Sequence, residues 1–405
     1  MTIKVSPRKL MGQIWAIASK SDMHRLLICA ALSTGNTRIV CKETSADIEA
    51  TAACLRALGA GVCYENGVYH VSKAMEIRKN AYLDCGESGS TLRFILPVVC
   101  ALGKGATIKM RGRLSERPLS PLWEELERHS CKLSRSAPDE IAVQGKMSGG
   151  RFEISGDVSS QFISGLLFAL PLVSGGEIKI LGHLESEGYV NMTRAALSAF
   201  GVSTSFSENV FSVPGADYTT PGEVKAEGDW SNGAFWLCAR AIGNDVTCWG
   251  LDDSSKQWDK NAPSAAAEIM RGNAEIDAQN IPDLVPILSV VAAAAPGETK
   301  FFNAARLRIK ESDRIFSTVQ MLKNLGAEAF ETEDGLVVRG GAPLRGGRVN
   351  SFNDHRIAMS AAICSTICEK DVIIEEAQAV SKSYPAFWDD FEALGGVIER
   401  EGGRL

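Results

Sequence analysis

Two carboxylates and a set of cations stand where a chain could do acid–base chemistry on an anion. Asp283 lies in IPDLVPIL, between prolines and ahead of a long apolar run, and Glu311 lies in RIKESDRI, between Lys310 and Arg314. Lys20 and Arg25 lie in SKSDMHR, Arg93 in GSTLRF, Arg117 in RLSERPLSPL, Arg356 in NDHR and Lys382 in VSKSYP. Arginine forks grip phosphate and carboxylate bidentately, whereas lysine acts as a mobile point charge or proton donor. Carboxylates set among such cations can carry protons. Each residue also has a plainer reading: Asp283 as a helix N-cap, Glu311 as the partner of a neighbour in its own turn, each cation as a solvated surface charge. Position weighs against scatter. All eight cations fall within a turn of an apolar helix start or on a Gly/Pro-bounded loop, in a chain whose net charge is −6. That pattern suggests a local cationic cup.

The elements that must position these residues repeat. A polar turn followed by about three turns of nearly all-apolar helix recurs as SKSDMHRLLICAAL (19–32), GSTLRFILPVVCAL (89–102), SSQFISGLLFALPLV (159–173), DWSNGAFWLCARAI (229–242), IPDLVPILSVVAAAA (281–295) and NDHRIAMSAAICST (353–366). Ser21, Ser90, Ser160 and Ser231 stand 69, 70 and 71 residues apart. Between these segments runs a second pattern, an amphipathic helix ending near Gly and then a strand hairpin, as in residues 48–71, 194–213 and 316–340. Its last copy, FWDDFEALGGVIERE, runs out at the C-terminus.

Six copies of a unit of roughly 70 residues predict two similar inside-out α/β domains, each of three repeated βαβαββ units with buried helices and outer sheets. Residues 1–18 cannot form a unit alone, so VSPRKLMGQIWAI is expected to supply the strand that the last copy lacks. The domains are then 19–226, central, and 1–18 plus 227–405, holding both termini. A helix start carries free N–H groups and about half a positive charge. Several starts facing one cleft would therefore hold a strongly anionic ligand.

Bulk properties narrow the field. The chain has 405 residues, 45% apolar and 23% charged, as in a soluble globular protein of more than one domain. An acidic balance argues against nucleic-acid binding. Eleven cysteines, an odd number with no CxxC, read as buried free thiols in a reducing compartment, and five scattered histidines show no zinc spacing. No apolar run suits a signal peptide or a membrane span. The expectation is a cytoplasmic protein with no metal and no cofactor.

Together, SKSDMHR, GESGSTLRF, RLSERPL, GDVSSQFISGLL, ESEGY, EGDWSNGAF, IPDLVPIL, RIKESDR, NDHRIAMS and VSKSYP occur in the order found in the EPSP synthase family of enolpyruvyl transferases, and the chain resembles that family from residue 19 to 385. The resemblance implies transfer of the enolpyruvyl group of phosphoenolpyruvate to the 5-hydroxyl of shikimate 3-phosphate by addition–elimination, in a monomer acting on small molecules, without nucleic acid or membrane. It implies that Lys20, Ser21, Arg25, Ser159, Ser160, Gln161, Ser186, Tyr189, Asp283 and Lys310 bind shikimate 3-phosphate. Phosphoenolpyruvate falls to Lys20, Gly89, Arg117, Gln161, Arg314, Arg356 and Lys382. Asp283 takes the hydroxyl proton, and Glu311 with Lys20 handles the proton at the methylene carbon. Closure of the two domains would keep water from a cationic intermediate.

The chain departs from the family at Ile17-Ala18, where Pro-Gly is common, at Glu87 and Arg306, each Asn in some members, and at Trp258 for a common Gly. Three rivals are weaker. The transferase that uses UDP-N-acetylglucosamine carries a loop cysteine in the region of RLSERPLSPL, and here no Cys lies between 101 and 130. The attacking histidine and basic face of an RNA-terminal phosphate cyclase are not evident. A non-catalytic scaffold would not need carboxylates at 283 and 311.

Overall fold

The computed structural model describes residues 1–401. The chain divides into two compact units, one of Ala18–Glu227 and one of Met1–Ile17 with the chain from Gly228 onward. The first holds α1 (Lys20–Leu32), α2 (Ala46–Leu58), α3 (Gly89–Leu102), α4 (Leu122–Arg128), α5 (Ser160–Ala169) and α6 (Glu187–Ala199). The second holds α7 (Trp230–Ala241), α8 (Ala262–Met270), α9 (Val285–Ala294), α10 (Arg314–Asn324), α11 (His355–Ser365) and α12 (Phe387–Ala393).

The odd-numbered helices are the six apolar segments. With no polar face to turn to water they go to the centre of each unit, and α11 is buried at every residue. Each unit has its own core, built on α1, α3 and α5 in one and on α7, α9 and α11 in the other. The even-numbered helices are one-sided; α2 buries Ile48, Ala52, Leu55 and Leu58 along one stripe. Ser21, Ser90, Ser160 and Ser231 all fall in the first turn of an odd helix.

Five of these six helices open on a side chain that accepts from an otherwise free backbone N–H: Ser19, Ser88, Ser159, Asp229 and Asp354, capping Asp22, Thr91, Gln161, Asn232 and Arg356. The sixth, α9, is entered through a 3-10 turn over Pro282–Leu284, with Pro286 near its start. Asp283 lies inside that turn and is not the cap, which releases its carboxylate for other partners.

Strands cover the helices in sheets with one recurring order, a parallel pair followed by an antiparallel hairpin. Four of the six parallel pairs bracket an odd helix. Ala81–Asp84 before α3 pairs with Ala106–Lys109 after it, and Gly150–Ser155 before α5 pairs with Gly175–Leu181. Glu223–Lys225, at the end of the unit, returns to Asn36–Val40 after α1. Two equivalent crossovers and this return close the ring, so the odd helices start at one common end. The second unit does the same with Ala274–Asp277 and Gly297–Phe302, and with Gly347–Asn350 and Val372–Glu375.

The N-terminal segment does two jobs where one was expected. Thr2–Ser6 sits between Val372–Glu375 and Val397–Glu401, filling the last copy. Met11–Trp15 instead pairs with Asp245–Trp249 and closes the second ring. Pro7, with no N–H for a ladder, separates the two strands. The fourth copy has lost its hairpin: after α8 the chain passes straight to Ala274–Asp277, leaving one two-stranded sheet beside five four-stranded ones among the described residues. All eleven cysteines are free thiols, and Cys63 alone is exposed. No described helix is long and apolar enough to cross a membrane.

Leu288, in the middle of α9, is 0% exposed. Leu288→Ala is expected to lower unfolding free energy by about 2–5 kcal/mol in denaturant titration, and a change under about 0.5 kcal/mol would contradict the central placement of that helix.

Candidate active site

In the unit Ala18–Glu227 the helix starts carry hydroxyls and cations. Lys20 is the first residue of α1, and its Nζ meets Asp47 Oδ2 at 2.8 Å, in the first turn of α2. Arg25, buried one turn further on, spans from α1 to α6. Its Nε donates to Thr193 Oγ1 at 2.8 Å, its Nη2 to the Tyr189 carbonyl at 2.8 Å and its Nη1 to the Ser21 carbonyl. The guanidinium lies 5.1 Å from the centre of the Phe94 ring. Burial pulls its pKa down to about 10, so it stays charged at neutral pH. Ser186, buried with φ +52°, precedes α6, and its backbone carbonyl accepts the Tyr189 N–H at 3.1 Å.

A second group joins α3 and α5. Ser159 caps α5, and buried Ser160 and Gln161 form its first turn. Gln161 Oε1 accepts from Arg93 Nη1 at 3.1 Å, and its Nε2 donates to Ser90 Oγ at 2.9 Å. Gly89 opens α3 beneath two guanidinium groups: a Cβ there would lie 2.6 Å from Arg117 Nη1 and 2.7 Å from Arg93 Nη1. A side chain there would make both guanidinium groups shift from that helix start.

In the other unit the starts of α9, α10 and α11 hold a compact charge cluster. Arg314 is buried and faces three carboxylates. Its Nε donates to Asp354 Oδ2 at 2.8 Å, its Nη1 to Asp283 Oδ1 at 2.7 Å and its Nη2 to Glu311. Arg356 Nη2 donates to Asp283 Oδ2 at 3.0 Å, and its Nη1 to the Asp283 carbonyl at 3.2 Å. Lys310 Nζ lies 4.0 Å from Asp283 Oδ1. Lys382 Nζ donates to the Asn353 carbonyl at 2.6 Å, beside this cluster in sequence. Both plainer readings of the carboxylates are resolved here: Asp283 caps nothing, and Glu311 does pair within its own turn, with Arg314.

The fields follow from the contacts. Burial alone would raise the Asp283 carboxyl, but Arg356, Lys310 and Arg314 outweigh it and hold the group well below the usual carboxylate range, against a smaller upward push from Glu311. Burial brings Lys310 down to about 8, with Arg314 and Arg306 adding to the drop and Asp283 and Glu311 opposing it. Asp259, buried against Ser231, rises to about 7 through burial and the nearby Asp283 charge, with Arg356 opposing.

Sequence reasoning missed Asp47, Asp354, Thr193 and Asp259. Asp354 carried a readable signal, an Asp one residue ahead of an apolar helical run. The other three are partners found only through tertiary contact.

The family model for EPSP synthase (3-phosphoshikimate 1-carboxyvinyltransferase) matches residues 5–391. The chain belongs to the EPSP synthase family. It is 40% identical to the 3-phosphoshikimate 1-carboxyvinyltransferase of Clostridium perfringens strain 13, covering 98% of this chain and 99% of that protein. It is also 40% identical to the Clostridium kluyveri enzyme of that name, covering 98% of each. The fold is that of the EPSP synthase from Acinetobacter baumannii (TM-score 0.80, 22% identity, 98% of this chain and 100% of that one). It is likewise that of the enolpyruvyl transferase NikO from Streptomyces tendae (TM-score 0.78, 14% identity, 98% of each chain). As a member of the EPSP synthase family the chain is a transferase of the shikimate pathway, acting on phosphoenolpyruvate and shikimate 3-phosphate.

Asp259 gives a pH test of this cluster. The unfolded chain releases that proton near 3.8 while the folded chain holds it to about 7. The bound proton therefore favours folding at low pH, and the advantage drains away as pH rises from about 4 to 7. Asp259→Asn removes the charge, so its stability relative to wild type is expected to improve across that window by up to about 4 kcal/mol in parallel denaturant titrations. A difference that does not vary with pH would refute the shift.

Proposed function

We propose that the two groups of helix starts divide the reaction between them. Phosphoenolpyruvate brings a carboxylate and a phosphate, and the forks of Arg314 and Arg356, with Lys382, Arg117, Gln161, Lys20 and the backbone at Gly89, are the groups suited to those charges. The phosphate of shikimate 3-phosphate suits the hydroxyl-rich starts, Ser159, Ser160 and Ser186, with Lys20, Ser21, Arg25 and Lys310. Gln161 and Tyr189 border its ring.

In this reading Asp283 takes the proton of the 5-hydroxyl as its oxygen bonds to C2 of phosphoenolpyruvate, while Glu311 with Lys20 delivers a proton to C3. The tetrahedral adduct then returns the C3 proton and expels phosphate, leaving 5-enolpyruvylshikimate 3-phosphate. Neither step calls for a metal or cofactor, because the fixed cations supply the charge stabilisation. Every group named lies in a single chain, and we propose that the enzyme works as a cytoplasmic monomer.

The observation that carries the proposal is the cluster of Asp283, Glu311, Arg314 and Arg356, two acids and two forks held within hydrogen-bonding distance around one point. Phosphate release from phosphoenolpyruvate tests it. Release is expected with shikimate 3-phosphate as acceptor and not with UDP-N-acetylglucosamine; the reverse would reassign the acceptor. Asp283→Ala and Lys20→Ala are each expected to reduce kcat by at least ~10²–10⁴-fold with an unchanged circular dichroism spectrum. Near wild-type turnover in either would remove that residue from the mechanism.

A further inference from the structure

Asp283 poses a problem for its own role. A carboxylate clamped by two guanidinium groups has little affinity for a proton, yet it must take one from an alcohol. The clamp is also made by the very donors that phosphoenolpyruvate requires. We propose that Asp283 occupies the phosphoenolpyruvate anion site as an internal stand-in, so that the substrate displaces it from Arg314 and Arg356 and by doing so turns it into the base. The proposal rests on the reading that these two arginines grip phosphoenolpyruvate.

The geometry separates a fixed partner from exchangeable ones. Asp354 is 0% exposed, holds Arg314 through Nε at 2.8 Å and, more loosely, through Nη2 at 3.4 Å, and caps α11 by accepting the Arg356 N–H at 2.9 Å. It therefore anchors the Arg314 side chain and the backbone that carries Arg356. The terminal nitrogens face Asp283 and Glu311, whose side chains are 17% and 18% exposed against 2% for Arg314. An anion arriving from solvent meets these two carboxylates first and can replace them on Nη1 and Nη2 without moving the anchor.

Exchange changes the field at Asp283 in one direction. It loses hydrogen bonds from two cations and gains an anionic neighbour, and both favour its protonated form. The other charges facing it are Lys310, which opposes the change, and Glu311 and Asp259, which reinforce it. The proton balance closes. The 5-hydroxyl proton passes to Asp283 as the C2–O bond forms, C3 gains and later returns a proton, and the proton on Asp283 leaves with the departing phosphate. With the anion gone, Arg314 and Arg356 close again on the carboxylate.

The test is a binding measurement in which no reaction can occur. Phosphoenolpyruvate is titrated calorimetrically, with no acceptor present, into wild type, Asp283→Asn, Glu311→Gln and Arg356→Gln, each first checked for folding by circular dichroism. Removing the stand-in should tighten phosphoenolpyruvate binding at least tenfold in Asp283→Asn, even though that variant cannot turn over. Glu311→Gln, which removes one negative charge from the Arg314 fork, should tighten it by a smaller factor and serves if Asp283→Asn does not fold. Arg356→Gln should weaken binding. If Arg356→Gln weakens binding while neither carboxylate variant tightens it, the stand-in is wrong and the site assignment survives. If Arg356→Gln has no effect, the site assignment falls, and the stand-in with it.

Discussion

Arg314 is the charge around which the second unit is arranged. A guanidinium 2% exposed to water must have its charge met inside the protein, because an unmet buried charge costs several kcal/mol. Three carboxylates meet it, each from a different segment: Asp283 from the turn into α9, Glu311 from the turn into α10 and Asp354 from the cap of α11. The planar fork fixes their directions as well as their number. The starts of three helices are thereby held in register by one side chain, and the local irregularities follow. The 3-10 entry to α9, which keeps Asp283 from capping, is one of them.

The two units share a plan and differ in the chemistry of their caps. Among Ala18–Glu227 the side-chain caps are Ser19, Ser45, Ser88 and Ser159. In the other unit they are Asp229, Asp313 and Asp354. A serine cap satisfies an N–H and leaves the positive end of the helix unneutralised, which suits a bound phosphate. An aspartate cap cancels that field but brings a charge that can hold an arginine in place. The serine-capped starts of one unit keep that positive field, alongside the guanidinium groups of Arg25, Arg93 and Arg117. In the other unit the aspartates meet the buried arginines instead. Repetition of the fold supplied equivalent positions, and the choice between Ser and Asp at a single position per helix differentiated them.

Much of this was open to a reader of the sequence, for reasons that are themselves physical. A helix buried on all sides must be apolar on all sides, and six such runs stand out against an otherwise ordinary composition. Their starts are marked by small polar caps, so the spacing of Ser21, Ser90, Ser160 and Ser231 reports the repeat. The cations near those starts were visible for the same reason. What was hidden depends on pairing across the chain. Met11–Trp15 pairs in parallel with Asp245–Trp249, and nothing local to either strand encodes that register. The missing hairpin of the fourth copy is an absence that a repeat of varying spacing conceals. Asp47 looks like any acid in the first turn of a helix until Lys20 is seen 2.8 Å away. Arg25 reads as a ligand-facing cation, and the structure shows it also serving as a strut between α1 and α6.

An acidic protein that binds two polyanions is no contradiction once the carboxylates are placed. Cations gathered at one point repel each other, and without an internal anion the empty site would be strained by their mutual field. Asp283, Glu311 and Asp354 relieve that strain while no substrate is present. If phosphoenolpyruvate takes Arg314 and Arg356 as proposed, the relief weakens the ground-state grip on the substrate, since the incoming anion must displace a group already in place. The loss is not waste if the displaced group is the base. Binding energy that would otherwise only have lowered KM is then converted into proton affinity at the reacting centre, where it lowers the barrier to addition. A site built this way holds its base inert until the molecule it must act with has arrived.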